Sequence, residues 1–253
     1  MSDDQYLLSL IHRETVDTGP NSPVRGVILT LRPVLTQWAN NNLAGLTPSG
    51  SFAKGTAIRS GTDIDLFVSL RSDTPNTLKE IYTSLANWMQ SAGCTSRKQS
   101  VSIGVRVGAY DVDLVPAKRH DNYSNDHSLY RRKADTWTKT NVDKHIATVR
   151  GGGRLLETRI LKLWRNQKHL EFPSFYLELT VIEALRYSRA ATLSARVARV
   201  LEYLRDSFVS ARVVDPANPT GNIISDDLTV TEKDAVKRAA ETALSGTWSE
   251  FVS

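Results

Sequence analysis

The chain is almost without cysteine. Cys94 stands alone among 253 residues, so no internal disulfide can form and a zinc ribbon built on paired thiolates is excluded. A reducing, cytoplasmic setting is the expectation from that usage. Long apolar runs are also missing. Nothing approaches the roughly 20 residues needed to cross a bilayer. The acidic opening Met1-Ser2-Asp3-Asp4 has no apolar signal region behind it. Direct membrane insertion is therefore not expected, and action at a membrane would need a partner. The five histidines show no zinc spacing. Gly151-Gly152-Gly153 lacks the Lys-Ser/Thr of a P-loop and reads as a hinge before a helix. There is no internal repeat and no low-complexity segment.

What is present is ordinary for a globular protein. Hydrophobic residues make up 40% and charged residues 23%, which removes disorder as the default. The length allows one large or two small domains with a real core. A formal charge of +5 fits nucleic acid or nucleotide phosphates, and equally a soluble protein that happens to be basic.

The spacing predicts a helix over 3–16, a break at Thr18-Gly19-Pro20-Asn21, and a second helix opened by Ser22-Pro23. Pro33 falls inside that second pattern and predicts a kink. Thr74-Pro75 repeats the cap-then-proline start before an apolar stripe from Leu78 to Met89. Val101, Ile103, Val105 and Val107 alternate as in a strand, with Gly104 and Gly108 marking a hairpin or bulge. Tyr110-Asp111-Val112-Asp113-Leu114 follows in the same register. Residues 121–153 are polar, and the remainder reads as helices at 154–169, 174–190, 192–209 and 231–245, the last capped by Thr231.

The chemistry gathers around residues 48–68. Pro48-Ser49-Gly50-Ser51 is a small-residue turn that offers backbone N–H groups and a hydroxyl to a phosphate. In the strand that follows, Asp63, Asp65 and Phe67 point one way and Ile64, Leu66 and Val68 the other. Two adjacent carboxylates are most often a solvated face. A second strand carrying Asp111 and Asp113 changes the balance. If the strands are neighbours, three carboxylates meet, and they repel unless a cation lies between them. The ligands are hard oxygens, so magnesium is the natural ion.

Gly50-Ser51 followed by Asp63-Ile64-Asp65-Leu66 resembles the signature of the DNA polymerase β-type nucleotidyltransferase superfamily. Val112-Asp113-Leu114-Val115-Pro116 resembles its third carboxylate strand, in the form seen in archaeal-type CCA-adding enzymes, oligoadenylate synthetases and bacterial cGAS/DncV-like nucleotidyltransferases. Leu161-Lys162-Leu163-Trp164, Pro173-Ser174-Phe175-Tyr176 and the turn Asp215-Pro216-Ala217-Asn218-Pro219-Thr220-Gly221-Asn222 are similar to further segments of that branch. The resemblance spans roughly residues 48–224.

The resemblance implies an α+β fold: a polymerase β-like mixed sheet core with helices, packed on a C-terminal helical domain. The division expected is a catalytic core with N-terminal helices over 1–120 and a helical domain over 121–253 that closes the nucleotide cleft. It also implies template-independent, metal-dependent joining of NTP or dNTP units with release of pyrophosphate. Asp63, Asp65 and Asp113 would be both catalytic and metal-binding, holding two Mg²⁺ ions, with Mn²⁺ as a substitute. Gly50, Ser51, Lys54, Lys162, Ser174 and Tyr176 would bind the nucleotide. For Lys54 and Lys162 the plain alternative is a solvated side chain, and for Tyr176 a core tyrosine. Asp111 aligns with no required carboxylate of the family. His145 and Arg131-Arg132-Lys133, as surface or backbone-binding groups, carry less weight. The product expected is a cyclic or linear oligonucleotide signal in prokaryotic antiviral defence, read by a separately encoded effector. The alternative is extension of the 3′ end of tRNA or another nucleic acid acceptor.

Overall fold

The computed structural model describes residues 2–17, 19, 22–61 and 63–253. Its Cα packing falls into two compact units, one of residues 17–54 and 63–146, the other of residues 1–16, 55–62 and 147–253.

The first unit is a mixed sheet with helices. Its strands are β1 (Leu43–Pro48), β2 (Ile64–Leu70), β3 (Arg97–Lys98), β4 (Ile103–Val107), β5 (Tyr110–Arg119), β6 (His127–Arg131) and β7 (Thr136–Thr140). The main order is β1-β2-β5-β4-β3, with β6 pairing the end of β5 and β7 pairing β6. Among the described residues, only the β2/β5 pair is parallel. Leu66, Val68, Val112 and Leu114 are fully buried, as their alternation with the aspartates predicts. The β4–β5 hairpin turns at Gly108, whose φ of 59° suits a residue without a Cβ.

Helices α1 (Asp3–Arg13), α2 (Pro23–Ala39), α3 (Gly50–Lys54) and α4 (Leu78–Ser91) refine the expected boundaries. The break at Thr18, Pro20 and Asn21 lies outside the described residues. Helix α2 begins with Pro23 at its first turn, but Ser22 makes no side-chain cap, and the helix runs on through Pro33 to Ala39. Helix α4 starts three residues later than the Thr74-Pro75 reading. Thr77 caps it in a reciprocal box with Glu80, while Thr74 bonds the carbonyl of Arg71.

Residues 121–146 belong to the sheet unit, although their polar composition reads as the start of a helical half. Strand β6 buries His127, Leu129 and Tyr130, and most other residues of β6 and β7 are polar, which hides the pattern. Arg131 ends β6, and Arg132 and Lys133 begin the short turn that leads to β7.

Helix α5 (Val142–Gly151) carries His145 and ends in the glycine run, with Gly153 at φ 65°. The second unit then builds α6 (Leu155–Gln167), α7 (Ser174–Ala184), α8 (Leu193–Asp206), α9 (Val230–Ser245) and α10 (Trp248–Phe251). Together with α1 they enclose one apolar core, which includes Leu7, Trp164, Tyr176, Leu201 and Phe208. The cap of α9 is Thr229 with Glu232, two residues before the expected Thr231. The Asp215–Asn222 turn closes on itself. The Asp215 carboxylate accepts from the Ala217 amide at 2.8 Å and from Asn222 Nδ2 at 3.0 Å.

Among the described residues, no helix is long and apolar enough to cross a membrane.

Candidate active site

The parallel pairing of β2 and β5 sets Asp65 directly opposite Asp113. Their neighbours Ile64, Leu66, Val112 and Leu114 turn the other way into the core. That burial pins the register, since a one-residue slip would drive both aspartates inward. Asp63 lies just before β2 and is exposed. Its charge reaches Asp113: burial first, then Asp63, push the Asp113 carboxyl above the ordinary carboxylate range.

Gly50 is fitted to the same place. The Ser49 amide donates to the Asp65 carbonyl at 2.8 Å, so the chain leaves β1 alongside the start of β2 and turns into α3. At Gly50 the backbone is left-handed, φ 55°, and a Cβ there would lie 1.7 Å from Asp65 Oδ2 and 2.7 Å from Asp65 Cβ. Only glycine permits that approach. Ser51 follows, half-buried, and Lys54 is buried at the end of α3.

Two polar residues absent from the sequence reading hold Asp113. Gln99 Nε2 donates to Asp113 Oδ1 at 2.9 Å, and Ser102 Oγ to Oδ2 at 3.4 Å. Ser102 also bonds Gln99 Oε1 at 2.8 Å. Both residues flank the short β3–β4 turn, which no motif marks. Asp111 points instead to Arg97 and Arg106, at 3.6 and 3.7 Å, so its charge is spoken for outside the aspartate group.

The donor set fits a divalent cation. It consists of hard carboxylate oxygens, and the mutual repulsion of Asp63 and Asp113 is what a bound cation would relieve. Among the described residues, no three acidic, thiol or imidazole side chains are grouped so that they could hold a metal ion by themselves.

Residues 1–151 match the family model of the Second Messenger Oligonucleotide or Dinucleotide Synthetase (SMODS) domain. The chain belongs to that family. The SMODS chain is thus a nucleotidyltransferase of the polymerase β-like superfamily, and the signal-synthesis reading holds over the CCA-adding one. It is 25% identical over 233 residues to the cyclic AMP-AMP-AMP synthase of Escherichia coli (strain MS 115-1), covering 76% of this chain and 73% of that one. Its fold is like that of E. coli MS115-1 CdnC with ATP, with TM-score 0.78, 22% identity, and 96% and 90% of the two chains covered. It is also like the Bradyrhizobium diazoefficiens CD-NTase CdnG with GTP, with TM-score 0.75, 13% identity, and 95% and 91% covered. Nucleotidyltransferases generally use divalent metal ions.

The other expected nucleotide contacts of the SMODS chain lie in the helical unit. Lys162 is 2% exposed. Its ammonium donates to Glu178 Oε1 at 2.8 Å and to Thr56 Oγ1 at 3.0 Å, and Thr56 in turn donates to Glu178 at 2.5 Å. The lysine is neither on a solvated face nor on an open one, because Glu178 on α7 draws it inward. Tyr176 is fully buried, with ring centroids 5.2 Å from both Phe172 and Phe208. Its faces are packed by protein, so stacking on a base gives way to the core-tyrosine alternative. Burial raises its phenol well above the usual range. Ser174 opens α7, half-buried, and accepts from Arg165 Nη1 at 3.0 Å. The structure thus brings Gly50, Asp65 and Asp113 together with Asp63 near them. Lys162, Ser174 and Tyr176 form part of a separately packed helical framework.

Proposed function

We propose that this chain joins nucleoside triphosphates into a cyclic oligonucleotide signal of antiviral defence, with Asp63, Asp65 and Asp113 as its metal-binding and catalytic carboxylates. ATP is the substrate we favour, by analogy with the 25% identical cyclic AMP-AMP-AMP synthase. The observation that carries the reading is the meeting of Gly50, Asp65 and Asp113 on paired strands. In the reaction, a 3′-hydroxyl oxygen forms a bond to the α-phosphorus of a second triphosphate. The bond from that phosphorus to the bridging oxygen breaks, and pyrophosphate leaves. Two Mg²⁺ ions, when bound, neutralise the triphosphate and lower the pKa of the attacking hydroxyl.

The chain's own residues supply position. Asp65 and Asp113 are fixed opposite each other by strand register, and Asp63 extends the carboxylate group beyond the end of β2. Gln99 and Ser102 hold the Asp113 carboxylate in one orientation, ready for the hydroxyl it serves. The turn at Gly50-Ser51, kept close by the missing Cβ, presents its amides and hydroxyl to phosphate oxygens. Catalysis of this kind is geometry and charge neutralisation, with no covalent enzyme intermediate. An effector encoded separately would read the product.

The test incubates the purified protein with Mg²⁺ or Mn²⁺ and each labelled NTP and dNTP, with and without tRNA. Small products resistant to phosphatase, formed from ATP without RNA, are expected. Label found only on added RNA would overturn the reading.

A further inference from the structure

A second polar pocket lies on the sheet unit, on the same face of β2 as the aspartates. Side chains alternate along β2, so Asp65, Phe67 and Ser69 share that face, and Ser69 lies about 13 Å beyond Asp65. Buried Phe67, with Val142 packed against its cluster, separates the two places. The cavity measures about 220 Å³ and is lined by Ser69, Arg119, Asn125, His127, Val142 and Asp143, among others. That volume accommodates a small polyatomic ion and is tight for a whole nucleotide.

Its polar groups are arranged by a short chain of hydrogen bonds. His127, 5% exposed, bonds the Asn125 carbonyl through Nδ1 at 2.9 Å and Ser69 Oγ through Nε2 at 2.8 Å. A carbonyl can only accept, so Nδ1 carries the hydrogen and, in the neutral ring, Ser69 donates to Nε2. The lone pairs of Ser69 remain. Arg119 donates through Nη2 to Asn125 Oδ1 at 2.9 Å, but among the described residues nothing accepts from its buried Nε. A buried cationic N–H without an acceptor is rare and points to a missing one.

Two carboxylates lie in or beside the pocket, Asp143 in its lining and Asp126 next to it. Asp143 accepts from Asn125 Nδ2 at 2.7 Å. Asp126 is held by Lys139 at 2.6 Å and Lys144 at 3.9 Å. The lining described here carries one cation, Arg119, and one carboxylate, Asp143, and the positive end of α5, which begins at Val142, lies beside them.

We propose that this pocket binds a small oxyanion, inorganic phosphate or the phosphate of a mononucleotide, with Arg119 as its principal ligand. A phosphate oxygen accepting from Nε would satisfy the orphan donor. The site is separate from the carboxylates and does not depend on the synthetase reading.

The test titrates inorganic phosphate, and in parallel AMP, into the full chain in metal-free buffer, with calorimetry and the His127 ring resonances as readouts. Saturable phosphate binding that shifts the His127 signals is expected, weakened at least tenfold in Arg119→Gln. Tighter binding of AMP than of phosphate would assign the source as a nucleotide, and the reverse as the free ion. Equal binding to wild type and Arg119→Gln, or no change at His127, would overturn the proposal. Should Arg119→Gln fail to fold, Arg119→Lys, which keeps the charge but lacks the Nε donor, takes its place: a tenfold weakening of phosphate binding is expected, and binding equal to wild type would overturn the proposal.

Discussion

Replacing Gly50 by alanine probes the site without removing any charge. The residue sits at φ 55°, where an ordinary side chain is strained by about 1–2 kcal/mol. The added methyl would also lie 1.7 Å from Asp65 Oδ2, 2.3 Å from Cγ and 2.7 Å from Cβ. The first two atoms can rotate away, but the Cβ of Asp65 is fixed by a strand paired on both edges. Either the turn or the carboxylate must therefore move by the order of an ångström. A shift of about 1 Å in a reacting group costs roughly 10²-fold in rate. Stability should fall by about 1–3 kcal/mol, or several degrees in Tm. Pyrophosphate release from ATP, read alongside thermal unfolding, separates the two effects. A loss of roughly 100-fold in kcat from a folded protein is expected. In the Gly50→Ala/Asp65→Ala double variant, stability should partly recover while activity stays absent. Activity within about threefold of wild type in Gly50→Ala would refute the reasoning, since the turn would then be free to stand elsewhere.

Further outcomes follow from other contacts. Gln99→Ala leaves one oxygen of Asp113 without its donor, and should lower kcat by about tenfold or more with little change in Tm, by steady-state kinetics and thermal melts. Lys162→Met alone strands a buried Glu178 and should destabilise by about 3–5 kcal/mol in urea unfolding, whereas Lys162→Met with Glu178→Leu recovers much of that. Asp126 has its carboxyl lowered to about 2 by Asn141 and Lys139. Its folded value lies below its unfolded value, so its contribution is present above pH 4 and is lost as pH falls toward 2. The stability gap between wild type and Asp126→Asn, about 1–2 kcal/mol at pH 7 after allowance for solvent screening, should therefore close across that acid range.

The sequence was most legible where one face of a strand is buried and the other carries charge. At Asp63–Val68 and Tyr110–Leu114 the alternation predicts burial, face and pairing together, because only one register keeps the carboxylates out of the core. It was least legible where long-range partners decide. Lys162 lies on a polar stripe of α6 by spacing alone, and nothing local announces that Glu178, one helix further on, pulls it into the interior. Tyr176 is a similar case, settled by Phe172 and Phe208. No sequence signal marks Gln99 and Ser102, because a two-residue strand and its turn carry no periodicity. Strands β6 and β7 were hidden by polar residues on their open face. Helix starts shifted to Thr77 and Thr229 because each has a glutamate three residues on, which completes a reciprocal cap. Thr74 and Thr231 have no glutamate at that spacing.

The measurement that bears most directly on the central claim is pyrophosphate release from ATP by Asp113→Asn, with Mg²⁺ varied and folding monitored. Asparagine keeps the shape and the bond to Ser102 but removes the charge that, with Asp63 and Asp65, would hold the cation. The account predicts a folded protein in which release falls by about 10³-fold or more and added Mg²⁺ does not restore it. Turnover at the wild-type rate in this variant would contradict the assignment of the paired aspartates as the catalytic centre.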